Sequence, residues 1–141
     1  MSLGPPATPG PETPAARLPG RVVTPRLVLR RWHHDEGPLA SAAIASSLEH
    51  LRPWMAWIKF EPLTPAERVR QIEDWTRQWE DGGDAIYGVF LDGEVVGGAG
   101  LHHRQGPGSL DIGYWIHVSH LRKGFATELT AALTSTALDI N

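Results

Sequence analysis

The chain has 141 residues, 41% of them hydrophobic, no cysteine and a formal net charge of -3. This allows one modest domain and removes disulfides, thiolate metal sites and cysteine nucleophiles together. Acidic and basic residues are interspersed, so no broad cationic surface forms for DNA or RNA, and any bound anion is expected to be small and locally held. No apolar leader-like stretch and no run of roughly 18 apolar residues occurs, so the expectation is a soluble, cytoplasmic protein.

The first twenty residues contain six prolines and three glycines. With few bulky apolar side chains they cannot repay the entropy of ordering, so a disordered tail is expected over 1–20 and a single domain over 21–141. In TPRLVLRRW, Leu27 and Leu29 alternate with Arg26 and Arg30, which predicts a half-buried strand from Arg26 to Trp32. Asp35 and Glu36 precede LASAAIASSLEHL, where Leu39, Ala42, Ala43 and Ile44 begin a helical face that ends before Pro53. Thr64-Pro65-Ala66-Glu67 is a capping box with proline at the first helical position; Val69, Ile72, Trp75 and Trp79 line the helix it opens, and Gly82-Gly83 end it. AIYGVFLD and EVVGGAGLHHR flank Asp92-Gly93, a hairpin signal. After the loop QGPGS comes the strand LDIGYWIHV, and from about Gly124 to Leu138 the residues Ala126, Leu129, Leu133 and Ala137 recur at helical spacing. The order β, helix, helix, β, β, β, helix predicts an α/β (α+β) domain around a largely antiparallel sheet. One sheet edge is left unpaired where TSTALDIN stops, so the domain is expected to be incomplete at its carboxyl end, and pairing with a second copy is an option.

The stretch Ser119–Leu129, SHLRKGFATEL, places a glycine turn between a strand and a helix. Unpaired amides and the helix dipole converge there, Arg122 and Lys123 add charge, Gly124 permits close approach, and the Thr127 hydroxyl is a further donor. A phosphate site and a plain turn with solvated cations both fit this spacing. Neither a Walker loop nor a dinucleotide fingerprint occurs. Gly97-Gly98-Ala99-Gly100 runs on into strand-like sequence and marks a bulge or a close backbone approach. The histidine doublets His33-His34 and His102-His103 point to opposite faces of a strand, so no metal site is expected. Trp54 and Trp57, beside Pro53, fit either a core or the wall of an apolar pocket. Asp111 opens the strand that leads into the turn; it reads either as a strand-end charge or as a general base.

Taken in order, TPRLVLRRWHHDE, LRPWMAWI, EVVGGAGL and DIGYWIHVSHLRKGFATEL resemble the GNAT acyltransferase superfamily from about Thr24 to Asn141. The resemblance is nearer to its Rim-type branch, which acetylates protein amino termini. It implies a mixed, mostly antiparallel sheet with helices on both faces and acetyl-CoA as cosubstrate beside the family's fourth strand. Main-chain groups of Ile116, His117 and Val118 would meet the pantetheine arm. The turn from Arg122 through Lys123, Gly124, Phe125 and Ala126 to Thr127 would cradle the pyrophosphate. The family turn reads Gln or Arg, two residues, Gly, one residue, then Gly or Ala; Leu121 departs at its first position, which removes a supporting contact and leaves the main-chain donors. On this resemblance Asp111 is the first choice of base, His102 the reserve, and an amide near Ile116 or His117 the oxyanion donor; Trp54 and Trp57 fall on the acceptor side. The implied activity is acetyl transfer to a primary amine, foremost a protein N-terminus. Polyamine or aminoglycoside acetylation, or a noncatalytic CoA-binding module, are the alternatives.

Overall fold

The computed structural model describes residues 18–51, 53, 55, 60–103 and 109–140. Trp54 and Trp57 lie outside these, as does the loop over 104–108.

The strand predicted from Arg26 is shorter than expected and has a neighbour the sequence pattern did not show. β1 (Arg21–Val23) and β2 (Val28–Arg31) pair antiparallel with Val22 opposite Leu29. Thr24 closes the turn between them: its amide donates to the Leu27 carbonyl and its hydroxyl accepts the Leu27 amide, both at 2.9 Å. Just upstream, Leu18 is buried in the core. The Leu18 carbonyl accepts the Trp79 indole N–H, and the Pro19 carbonyl accepts the Tyr87 hydroxyl at 2.6 Å. Leu18 and Pro19, which composition groups with the tail, thus strap across the segments that carry Trp79 and Tyr87.

The helix expected after Glu36 forms in two pieces, α1 (Gly37–Ala45) and α2 (Leu48–Leu51), behind a 3₁₀ turn (His34–Glu36). The break falls at Ser46-Ser47, where the Ser46 hydroxyl donates back to the Ala42 carbonyl at 2.9 Å, a local bond that competes with helix continuation. Ala40, Ala43 and Ile44 face the core, whereas Leu39, expected inside, is exposed. α3 (Pro65–Glu80) is capped as predicted: the Thr64 hydroxyl accepts the Glu67 amide at 3.1 Å and Glu67 accepts the Thr64 amide at 2.8 Å. Ile72 and Trp75 pack inward, and so does Arg68, only 1% exposed. Burial of a guanidinium is tolerable only with full pairing, and Arg68 donates to Ser41 Oγ (2.8 Å), to Gln71 Oε1 (2.7 Å) and to the Glu61 carboxylate.

β3 (Ala85–Leu91) and β4 (Glu94–His102) form the expected hairpin, with positive φ at both Asp92 (50°) and Gly93 (85°), as a tight primed turn requires. β5 (Asp111–Ile116) follows, then a 3₁₀ turn (Val118–His120) and α4 (Phe125–Ile140). Among the described residues five strands make an antiparallel meander in the order β1-β2-β3-β4-β5. The α/β architecture and mostly antiparallel sheet expected from the sequence are what the structure shows.

Strand alternation divides the core in two. Leu27, Leu29, Tyr87, Val89, Val96, Leu101 and Ile116 meet Phe125, Leu129 and Leu133 of α4 on one face. On the other, Trp32, Phe90, Val95 and Trp115 meet Ala40, Ala43, Ile72 and Trp75 of α1 and α3. Pairing jumps from Val89 opposite Gly97 to Phe90 opposite Val95, so Val96 is the extra residue of a bulge in the glycine-rich part of β4. Gly88 and Gly98 pair across the strands there. A Cβ at Gly88 would come within 2.8 Å of the Trp32 ring, and one at Gly98 would collide with the Trp115 indole. Among the described residues no helix is long and apolar enough to cross a membrane.

Candidate functional site

The outer edge of β5 and the turn after it bring together most of the residues singled out in the sequence. Antiparallel strands direct the N–H and C=O of successive residues alternately to one neighbour and the other. The His117 amide donates inward, to the Val96 carbonyl at 2.8 Å. The N–H and C=O of Ile116, and of Tyr114 and Ile112 before it, therefore face the opposite edge, which has no strand partner among the described residues. The Val118 amide donates to the hydroxyl of Ser47 at 3.0 Å, a side chain only 1% exposed at the α1–α2 corner. Of the three main-chain positions expected to meet a ligand, only Ile116 has a donor with no partner among the described residues. Both the His117 and Val118 amides are engaged within the protein.

Past the 3₁₀ turn the chain doubles back through Arg122 (φ 63°) and Gly124 (φ 80°) into α4. The Glu128 amide is the first to bond back within the helix, to the Gly124 carbonyl at 3.0 Å, so the amides of Phe125, Ala126 and Thr127 have no carbonyl one turn earlier. They point outward at the positive end of the helix dipole. A Cβ at Gly124 would meet a single atom, Arg26 Nη2 at 3.3 Å. Glycine is needed there for its left-handed backbone and for the open approach it leaves.

Glu128 in the first turn of α4 would repel an anion if its charge were bare. It is covered: the Thr24 hydroxyl, the Arg26 amide (2.9 Å) and the Arg26 Nε (2.7 Å) all donate to it, while Arg26 Nη1 donates to the Lys123 carbonyl at 2.9 Å. Burial works against ionisation of Glu128, but these donors and the arginine charge outweigh it and hold the carboxyl below its ordinary range. Arg26 also lies over the Phe125 ring, 4.6 Å from its centroid. The β1–β2 turn thus clamps the start of α4. Arg122 is exposed, whereas Lys123 Nζ lies 3.2 Å from His120 Nδ1, and His120 Nε2 lies 2.8 Å from Glu94. Burial, then the neighbouring His120, lowers the His117 pKa, with Glu94 opposing. The His117 ring accepts the Ser119 amide at 3.0 Å, which shapes the turn.

At the other end of β5, Asp111 pairs with His102 across the β4–β5 ladder, so the first-choice base and its reserve share a face of the sheet. That is the α1–α3 face, since Trp115 is on it. His102 Nδ1 lies 3.0 Å from Asp84 Oδ2, and Asp84 Oδ1 accepts the His103 amide at 2.8 Å.

Trp54 and Trp57 fall outside the described residues. Among the described residues no group of three or more histidine, aspartate or glutamate side chains converges as metal ligands. Sequence reasoning missed Arg26 and Glu128 as a clamp, Ser47 as the partner of Val118, and Asp84 as the partner of His102. Each is an ordinary polar residue whose role comes from contacts 18 to 102 positions away.

Over residues 26–140 the sequence matches the acetyltransferase (GNAT) domain model. The chain belongs to the GNAT acetyltransferase family. This GNAT domain superposes on the ribosomal alpha-N-protein acetyltransferase RimL in complex with coenzyme A, with a TM-score of 0.72 at 18% identity over 84% of this chain and 65% of that one. It also superposes on Mycobacterium smegmatis RimJ in complex with CoA-disulfide (TM-score 0.68, 23% identity, 84% and 60% covered). A third match is the microcin self-immunity acetyltransferase MccE in complex with acetyl-CoA and AMP (0.71, 17%, 84% and 67%). At these identities the likeness is one of fold, and the GNAT domain spans less than two thirds of the RimL and RimJ chains. Among curated protein sequences none matches it.

Proposed function

We propose that this GNAT domain transfers an acetyl group from acetyl-CoA to a primary amine, with a protein amino terminus as the favoured acceptor. One observation carries the reading: outward-facing main-chain donors run from the open edge of β5, at Tyr114 and Ile116, through the turn to the amides of Phe125, Ala126 and Thr127. A diphosphate fits the helix start, where three amides converge on a point that glycine keeps open. Arg122 adds charge beside it, and Leu121, 36% exposed, lines the approach. On this reading Ile116 pairs with a pantetheine amide as a neighbouring strand would. Tyr114 N–H, two residues and about 7 Å further along the same edge, is the next donor toward a reacting carbonyl. Neutralisation of Glu128 by Arg26 keeps this path free of a bare negative charge.

The likeness to RimL and RimJ favours a protein N-terminus, and that to MccE puts a small acceptor into the same test. Release of the CoA thiol is measured with peptides bearing a free α-amine and, in parallel, with a polyamine and an aminoglycoside. Turnover with the peptides is the expected result. Turnover with only the small amines would move the acceptor class; absence of turnover with every amine would overturn the reading as an enzyme. Calorimetry with acetyl-CoA then tells whether a CoA-binding module remains.

A further inference from the structure

We propose that Asp84 and His102 act as a dyad in which Asp84 is the positioning residue, holding the tautomer and orientation of the imidazole so that His102 Nε2 accepts the proton of the attacking amine. The inference rests on the acetyl-transfer reading above and assigns the base within it.

The geometry has three parts. Asp84 lies just ahead of β3 and is fixed at both oxygens, by the His103 amide at 2.8 Å and by His102 Nδ1 at 3.0 Å. An ionised carboxylate only accepts, so it requires the proton on Nδ1 and leaves a lone pair on Nε2. Burial opposes ionisation of Asp84, yet the His103 amide and the His102 ring outweigh it and keep its pKa below the ordinary value.

Nε2 itself has no hydrogen-bond partner among the described residues. The ring lies over Gly100 and Gly113, which face each other across the β4–β5 ladder. A Cβ at Gly100 would stand 2.6 Å from Nε2, and one at Gly113 would stand 3.5 Å from it. Two bare backbone positions thus give the ring its seat, and the side chain stays 14% exposed.

Among the described residues the ionisable groups around His102 are Asp84 before β3, Asp111 opposite it on β5, and His103 next in the chain. Unlike His102, Asp111 has no side-chain partner fixing its direction among the described residues.

In the transfer step the amine lone pair forms the N–C bond while the carbonyl π pair moves to oxygen. As that pair returns, the C–S bond breaks and the thiolate leaves. The nitrogen proton passes to His102 Nε2, and the imidazolium gives it up to the thiolate or to solvent.

One readout does not depend on turnover. Nitrogen-15 NMR of the unliganded full chain, above the range where imidazole titrates, is expected to show His102 protonated at Nδ1 and bare at Nε2, with that preference lost in Asp84→Asn. In kinetics, His102→Gln is expected to lower kcat by roughly 10² to 10⁴-fold with the KM for acetyl-CoA unchanged. Asp84→Asn should lower kcat and displace the acid limb of the pH profile, where the base loses its lone pair, Asp84→Glu should restore part of it, and Asp111→Asn should cost less than His102→Gln. A wild-type ring protonated at Nε2, or His102→Gln within twofold of wild type, overturns the dyad and leaves acetyl transfer standing. Absence of wild-type turnover overturns acetyl transfer and with it the base role, and the tautomer still decides whether Asp84 holds His102. The wild-type NMR result needs no variant to fold.

Discussion

The two faces of the sheet are built differently. On the α4 side, Leu129 and Leu133 settle among Leu29, Val89, Val96 and Leu101, and which residues meet follows from a period of two in the strands and of 3.6 in the helix. On the α1–α3 side, aromatic rings fill the space a Cβ would take at Gly88 and Gly98, Arg30 stacks on Phe90 at 4.0 Å while paired to Glu36, and Arg68 is buried with Glu61. The first face depends on a repeating pattern, and the second on single contacts with few substitutes. Hydrophobic exchange should therefore be tolerated on one face and not on the other, and the proposed base lies on the intolerant one.

The sharpest test pairs one residue from each face. Arg68→Met strands the Glu61 carboxylate in the interior and should cost about 3–5 kcal/mol in urea unfolding, whereas Leu133→Met, of similar volume, should cost less than about 1.5 kcal/mol. Equal losses would break the comparison. The exception on the α4 side is Gly124, where φ is 80°: Gly124→Val should weaken acetyl-CoA binding by at least ~1.4 kcal/mol, tenfold by calorimetry, while Ala126→Gly beside it should matter less.

Tyr87 comes next. Losing its bond to the Pro19 carbonyl in Tyr87→Phe should cost about 1 kcal/mol. Burial pushes the Tyr87 phenol up to about 12. Its contribution is thus complete below the ordinary value of 10.0 and lost as pH rises through the raised one, so the variant should lack that part of the alkaline unfolding limb. The smallest effect is expected at Glu128. With its pKa lowered, its contribution is complete above the ordinary 4.5 and lost as pH falls through the lowered value. Glu128→Gln should flatten the acid limb of the unfolding midpoint, and an unchanged limb would detach the β1–β2 turn from α4.

What the sequence revealed follows the same division. The α3 capping box, the Asp92-Gly93 turn and the apolar face of α4 are local or periodic, and each stands where the residues placed it. β1 has only three residues, too few to display a period, and Pro25 beside it reads equally as a strand breaker and as the turn it forms. The split of α1 from α2 depends on Ser46 bonding backward, which helical spacing conceals. For the site, Gly124 and the helix start were legible because glycine and an amphipathic run mark them. The engaged amides of His117 and Val118 were not, since their partners, Val96 and Ser47, are distant in sequence. Asp84 carried no signal at all until β3 and β4 paired and set His102 against it.

The bond from the Val118 amide to the Ser47 hydroxyl has a consequence for watching this protein at work. A backbone hydrogen held in a buried bond trades places with deuterium only when that bond opens. Val118, at the start of the 3₁₀ turn and itself exposed, is therefore a native reporter on the α1–α2 corner. Its deuteration rate, followed with and without an amine acceptor, would record each lifting of that corner from the tip of β5 with no probe attached.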